Sequence, residues 1–215
     1  MDNPLKSGRA MADHPFKGLY LTRLYHEGCE PFAVVTDLPR DEALAYCEKF
    51  APWRRVGDGA GGQEAYLDGR IETENWLRMS AQSAGVDIQK QNPIYFTLTA
   101  EDQKDKAPEG MKAVSIPVNS AILKYCSFTI GDSMGNRTSN APQEAAHRLQ
   151  DVVLNAAQAA TVIDADNIPG DYIKGGRYVE VQMWVRPSAE DTTPATAPAS
   201  PAAKASIKSS FSAAP

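Results

Sequence analysis

Short runs rich in β-branched and aromatic residues constrain the fold more than any other feature of this sequence. Each run has the length of a strand, and the runs lie at residues 19–25, 32–36, 94–99, 113–118, 125–130 and 178–185. No glycine-rich GxGxxG turn directly follows any of them, and strands do not alternate regularly with helices along the chain. We therefore predict an α+β domain with a bent mixed or antiparallel sheet and about three helices.

The last run places two different kinds of side chain on the two faces of its strand. Successive side chains of a strand point to opposite faces. One face is aliphatic, with Val179, Val181, Met183 and Val185. The other is polar and aromatic, with Tyr178, Glu180, Gln182 and Trp184. We predict that the aliphatic face meets the core.

Three segments have the spacing or the capping residues of helices. Residues 41–50 begin with acidic residues, and residues 73–84 place Trp76, Leu77, Ser80 and Ala84 near one face. The third helix is predicted from Pro142 to about Thr161, with Asn140 as its N-cap. Its apolar positions keep the spacing of one buried face, at Ala145, Leu149, Val152, Val153, Ala156 and Ala160.

Length and composition indicate one core followed by a tail. The chain has 215 residues, of which 42% are hydrophobic and 23% are charged, as in ordinary globular domains. From residue 187 onward, alanine, proline and serine dominate, and such a sequence has too little apolar content to build a core. We predict a flexible lead-in over residues 1–14, a single α+β domain over 15–186 and a disordered tail over 187–215.

Charge and cysteine content argue against several classes of partner. A net charge of −5 gives no general attraction for nucleic acid or for an anionic membrane, so neither partner is expected. The N-terminus lacks the apolar core of a secretory signal, and no apolar stretch is long enough to span a bilayer, which predicts a cytoplasmic protein. Cys29, Cys47 and Cys126 lack CxxC spacing, so we expect no disulfide framework and no metal.

Residues 131–135 read GDSMG and fit the GxSxG turn that presents a nucleophilic serine after a strand. Ser133 would be the nucleophile of a serine hydrolase. Its histidine would be His147 or, in the chain order of chymotrypsin-like proteases, His26. The helix that should directly follow this turn is not predicted, and the alternative is a turn that simply ends a strand.

Three further residues belong to separate predicted strands. His26 directly follows the first run, Tyr95 lies in the run at 94–99, and Glu180 lies in the last run. In order and local sequence they resemble the His-Tyr-Glu signature of the ADP-ribosyltransferase-like superfamily. In that superfamily the three residues line a cleft between two small sheets and hold NAD.

The resemblance implies a role for each residue. His26 would hydrogen-bond a ribose hydroxyl of NAD, and Tyr95 would stack on the nicotinamide. Glu180 would bind the nicotinamide ribose and stabilise the positive charge that develops as the glycosidic bond breaks. Family members commonly place glycine directly after the histidine, whereas here Glu27 precedes Gly28, which is the candidate for the backbone contact to the nicotinamide. NAD would be the substrate, without a metal, and a protein would be the acceptor.

Two interpretations compete with NAD cleavage besides the serine hydrolase. In a purely structural interpretation His26 lies in a hairpin turn, Tyr95 lies in the core, and Glu180 and Gln182 form the solvated face of a half-buried strand. A non-catalytic protein-interaction module would instead show a contiguous exposed apolar patch in place of a polar cleft.

Overall fold

The computed structural model describes residues 16–50, 62–134, 152–163 and 179–192. Their strands form one open sheet in which every pair of neighbours is antiparallel, in the order β3-β1-β2-β5-β4. The strands are β1 (Leu19–His26), β2 (Ile94–Ala100), β3 (Met111–Pro117), β4 (Cys126–Ile130) and β5 (Val179–Met183). The predicted α+β class is confirmed. Of the two sheet types predicted, mixed and antiparallel, the structure has the antiparallel one.

Four α-helices accompany this sheet in the described part of the chain. They are α1 (Arg40–Phe50), α2 (Gly62–Ser83), α3 (Ser120–Leu123) and α4 (Ala156–Val162). Short 3-10 helices are found at Val35–Asp37 and Ala189–Asp191. None of the described helices combines the length and the apolar character needed to cross a membrane.

One face of the sheet carries the main hydrophobic core. Leu21, Phe96, Leu98 and Phe128 are almost fully buried there, and α3 and α4 contribute further apolar side chains. The aliphatic positions of the last run are all part of this core, namely Val179, Val181, Met183 and Val185. The predicted orientation of that strand is therefore confirmed.

The opposite face of the sheet is also covered. Helix α2 contributes Leu77 and Ala81 to a second apolar cluster with Trp184. Only 4% of Glu180 is exposed, and Gln182 is fully buried. The prediction that these two residues form a solvated face is wrong, because α2 begins 11 residues before the predicted helix at residue 73 and covers more of the sheet.

The sheet divides into two parts at one end. Strand β1 pairs with β3 along residues 20–26, but with β2 only along residues 19–22. From Arg23 onward, β1 therefore remains paired with β3 and is no longer paired with β2. The Arg23 guanidinium bridges this region, since it donates to the carbonyl of Tyr95 at 3.1 Å and to that of Ala33 at 2.5 Å.

The predicted strand at residues 32–36 is absent, and that prediction is wrong. Val35–Asp37 is a 3-10 helix, and the sheet neighbours of β1 are β2 and β3. Side chains, rather than a neighbouring strand, bind the backbone of this segment: Arg23 donates to the Ala33 carbonyl and Asn92 to the Thr36 carbonyl. The buried Val34 side chain anchors the segment in the core.

The predicted helix from Pro142 to about Thr161 is interrupted in its described part. Leu154 exchanges both of its backbone hydrogen bonds with Phe128, at 2.9 Å each, and so extends the edge of the sheet beside β4. Asn155 then forms a capping box with Gln158, and α4 starts at Ala156. Residues 142–151 lie outside the described part of the chain.

The predicted termini fall mostly outside the described residues, which exclude 1–14 and 193–215. Residues 187–192, predicted as the start of the tail, contain the second 3-10 helix. Asp191 accepts hydrogen bonds from both the backbone and the hydroxyl of Ser188 at 2.7 and 2.6 Å, so this segment has defined local structure.

Candidate functional site

Tyr95 and Glu180 lie near each other on the face of the sheet that α2 covers. In the register of β2 and β5, Tyr95 is opposite Gln182 and Thr97 is opposite Glu180. Tyr95 and Glu180 are therefore diagonal neighbours on one face. Burial raises the pKa of Tyr95 well above its ordinary value, and the nearby charges of Glu74 and Glu180 add to that effect.

Arg70 reaches this pair from α2. Its guanidinium carbon lies 3.7 Å from the centroid of the Tyr95 ring, which is a cation–π contact. Its Nε donates to Oε1 of Glu74 at 2.8 Å, one helical turn further along. The other carboxylate oxygen of Glu74 accepts a hydrogen bond from the Thr36 hydroxyl. The buried face of α2 thus carries an ion pair above an aromatic ring.

The two acidic and two basic groups around Tyr95 balance one another. Burial alone would lower the pKa of Arg70, but the attraction of Tyr95, Tyr66, Glu74 and Glu180 outweighs it and raises that pKa. Burial lowers the pKa of Arg23 to about 10, and the positive charge of Arg70 contributes. The surroundings of Arg70 therefore favour the charged form of its guanidinium.

A chain of hydrogen bonds fixes the Glu180 carboxylate. The Gln182 amide donates to Glu180 Oε1 and to the Thr129 hydroxyl, both at 2.9 Å. Its carbonyl accepts from the Ser127 hydroxyl, which in turn accepts from the indole nitrogen of Trp184, again at 2.9 Å. Because each group is held by the next, the side chain of Glu180 is presented in one orientation.

Glu180 is harder to ionise than an ordinary glutamate. Burial raises its pKa, and the charge of Asp132 raises it further. The Ser133 hydroxyl, the Arg70 charge and the Gln182 amide act in the opposite direction without cancelling the shift. The carboxylate therefore carries its negative charge at a cost in free energy.

The buried hydroxyls of Ser133 and Tyr95 lie near carboxylates but outside good hydrogen-bond geometry. The Ser133 hydroxyl lies close enough to favour the ionised form of Glu180, and the Tyr95 hydroxyl faces Glu74. Neither completes a hydrogen bond of good geometry with the described residues. Buried polar atoms without partners are rare in native proteins, so this cluster has hydrogen-bonding capacity to spare.

His26 and Gly28 lie at the open end of the split between β1 and β2. His26 is the last residue of β1, opposite Met111, and its ring stacks on Phe50 of α1 with 5.1 Å between centroids. By strand alternation it belongs to the same face as Thr22, whose hydroxyl bonds to Thr99 at 2.7 Å. Gly28 forms the turn after β1 with a φ of +83°, a conformation that glycine adopts without strain. The strand register thus places Tyr95 near Glu180, whereas the ring contact of His26 is with Phe50 of α1.

Ser133 has carboxylate neighbours in the described part of the chain. It is fully buried, two residues after Gly131, whose φ is +90°. Glu180 lies beside its hydroxyl, and Asp132 lies close enough to raise the pKa of Glu180. Gly135 of the motif and His147, one of its two candidate histidines, lie outside the described residues; the other candidate, His26, stacks on Phe50 of α1.

A groove of about 630 Å³ lies on the outer side of α2, away from this cluster. It is lined by Glu72, Trp76, Met79, Ser80, Ser83, Ala84 and Val153. Of the residues predicted to share one face, Trp76, Ser80 and Ala84 line this groove. Leu77, predicted on the same face, instead faces the sheet together with Arg70, Glu74 and Ala81. The described residues contain no cluster of three or more potential metal ligands.

Arg70, Glu74 and Ser127 are site residues that the sequence analysis did not identify. Alternation along the last run placed Gln182 beside Glu180, and the same reasoning along the strand at 125–130 could have added Ser127. No local signal connects Arg70 to Tyr95, because the residue precedes the predicted helix and the contact is between distant parts of the chain.

The fold and site define an α+β protein with a buried acidic and aromatic cluster where an antiparallel sheet divides in two. No protein-family model, curated protein or solved structure matches this chain.

Proposed function

We propose that this protein cleaves NAD between nicotinamide and ribose, and transfers the ADP-ribose to water or to an acceptor protein. The observation that carries the proposal is the division of the sheet. The resemblance to ADP-ribosyltransferases implies a cleft between two small sheets, and β1 parts from β2 between the strands that carry His26 and Tyr95. The proximity of Tyr95 and Glu180 on one face adds support.

The proposed reaction balances with groups of this chain and NAD alone. The bond between C1′ of the ribose and the nicotinamide nitrogen breaks, and its electron pair leaves with neutral nicotinamide. Positive charge develops at C1′, where the Glu180 carboxylate stabilises it. An oxygen of water or of the acceptor attacks C1′ and releases its proton to solvent.

The surroundings of Glu180 suit this role. The amide of Gln182 binds one of its oxygens and orients the carboxylate in advance, so little reorganisation is needed as the positive charge forms. Burial places the Glu180 carboxylate away from bulk water, where its attraction for a cation that forms beside it is screened less than at the surface.

The proposal is tested by measuring nicotinamide release from NAD by the wild type and by Glu180→Gln. The substitution keeps the shape of the side chain and removes its charge, so the rate should fall on the order of 10²-fold without any loss of thermal stability. Glu72→Gln, an exposed position of α2, is the matched control and should keep the wild-type rate. An unchanged rate in Glu180→Gln would exclude Glu180 from catalysis. Absence of release from wild type, with water and with a panel of acceptor proteins, would overturn the function.

A further inference from the structure

The face of the Tyr95 ring is already covered by a flat cation. The guanidinium carbon of Arg70 lies 3.7 Å from the ring centroid, which is stacking distance. The nicotinamide ring of NAD is also a flat cation, and in the proposed function it stacks on Tyr95. Arg70 and nicotinamide therefore compete for the same face and for the same negative charges.

Several contacts hold Arg70 in that position. Glu74 accepts from its Nε at 2.8 Å, and the sulfur of Met134 lies 3.6 Å from a terminal nitrogen. The charged and titratable groups that face it are Glu74, Glu180, Tyr66 and Tyr95, which attract it, and Arg23, which repels it. The cluster is therefore a cation site, and the protein fills that site with its own side chain.

The Arg70 side chain reaches the surface of the protein, whereas its partner Glu74 does not. Arg70 keeps 16% of its side-chain surface exposed, whereas Glu74 keeps only 1%. When Arg70 leaves, Glu74 retains the hydrogen bond from the Thr36 hydroxyl, so the site does not lose every partner of its carboxylate at once.

We propose that Arg70 is a built-in competitor of nicotinamide, which keeps the site blocked until the guanidinium swings off Tyr95. This inference rests on the proposed function for the identity of the ligand. It also defines a ligand class that does not depend on catalysis: flat organic cations that stack on Tyr95 beside Glu74 and Glu180.

The first test uses 1-methylnicotinamide, a flat cation that cannot undergo the reaction of NAD. Arg70→Ala should melt below the wild type, because two buried carboxylates lose a cationic partner. Millimolar 1-methylnicotinamide should raise the melting temperature of Arg70→Ala by several degrees, and neutral nicotinamide should raise it less. Wild type and the control Arg78→Ala, an arginine that bonds to Asn75 away from the cluster, should shift little.

A second variant identifies the aromatic face as the binding surface. Adding Tyr95→Leu to Arg70→Ala should abolish the response to 1-methylnicotinamide. If Arg70→Ala does not fold, Arg70→Gln provides the same test, since glutamine keeps part of the hydrogen bonding and vacates the ring face. Absence of any response in the folded variant would overturn the proposal.

The kinetic test separates this inference from the proposed function. If both hold, Arg70→Ala should cleave NAD with a KM on the order of tenfold lower than that of the wild type. If 1-methylnicotinamide stabilises Arg70→Ala but neither protein cleaves NAD, the result supports the blocked cation site and overturns the proposed enzymatic function. If Arg70→Ala cleaves NAD with a higher KM than the wild type and 1-methylnicotinamide does not stabilise it, the result supports the enzymatic function and overturns the proposal that Arg70 blocks the site.

Discussion

Glu180 combines two properties that a stabilising surface glutamate lacks, burial and a defined orientation. Its carboxylate is bound by Gln182, and it lies within the influence of Arg70 and Asp132. The net effect of this environment is a raised pKa, so the folded state resists ionisation of Glu180 more than the unfolded chain does. Stability and proposed activity therefore make opposite demands on the charge of one side chain.

This conflict predicts a pH dependence. Between the ordinary pKa of glutamate and the raised pKa of Glu180, the folded state binds more protons than the unfolded state, so stability falls as pH rises through that interval. Glu180→Gln removes this titration and should be more stable than the wild type at pH 8. The difference should narrow as the pH is lowered toward 4.5, the ordinary pKa of glutamate, because Glu180 is then largely protonated in the folded state and half protonated in the unfolded chain. Melting curves of both proteins from pH 4.5 to 8 test this, and a difference that grows toward acid pH would contradict it.

Helix α2 is the element that determines the character of the site, since it brings Arg70 and Glu74 onto the sheet. The helix contains Gly69 next to Arg70, and a glycine inside a helix lowers its stability relative to alanine. A Cβ atom at Gly69 would meet only the terminal methyl of Met134, at 3.9 Å, which is ordinary van der Waals contact. The helix therefore tolerates a side chain at this position.

Gly69→Ala should stabilise the protein by about 0.5–1 kcal/mol, because alanine restricts the unfolded chain and favours the helix. Urea unfolding followed by circular dichroism measures the change. Gly85→Ala is the matched control in the turn after α2, where a φ of +82° makes any side chain unfavourable, and it should destabilise the protein. Destabilisation by Gly69→Ala would show that α2 packs more tightly there than the structure indicates.

The sequence predicted those elements whose signal is local. Alternation along β5 identified its core face, and the acidic start of α1 located that helix to within one residue. Long-range contacts decided the elements that were missed. The segment near Val34 has strand composition but bonds to Arg23 and Asn92, and the glycine-rich lead into α2 concealed the first half of that helix. Tyr95 and Glu180 could be selected as candidate site residues from the sequence. Arg70 could be added only once the tertiary fold showed that it lies against Tyr95.

At the scale of the whole molecule, one face of the sheet carries the main apolar core, and the other combines an apolar cluster under α2 with buried polar groups. The other face remains stable because its polar groups bond to one another in a chain from Trp184 through Ser127 and Gln182 to Glu180. Trp184 also belongs to the apolar cluster under α2, so a single residue connects helix packing to the orientation of the candidate catalytic carboxylate.

This connection predicts that Trp184 and Ser127 act as a unit. Trp184→Phe removes the indole donor and some buried volume, and should destabilise the protein by about 1–3 kcal/mol. Ser127→Ala breaks the same chain one step further along, so the double variant should cost less than the sum of the single changes by at least about 0.5 kcal/mol. Urea unfolding of the four proteins measures that coupling. Both single variants should also slow nicotinamide release, because Gln182 loses a partner that holds its amide against Glu180. Strict additivity of the unfolding free energies, with wild-type rates in both variants, would mean that the chain of hydrogen bonds neither stabilises the polar face cooperatively nor positions the carboxylate.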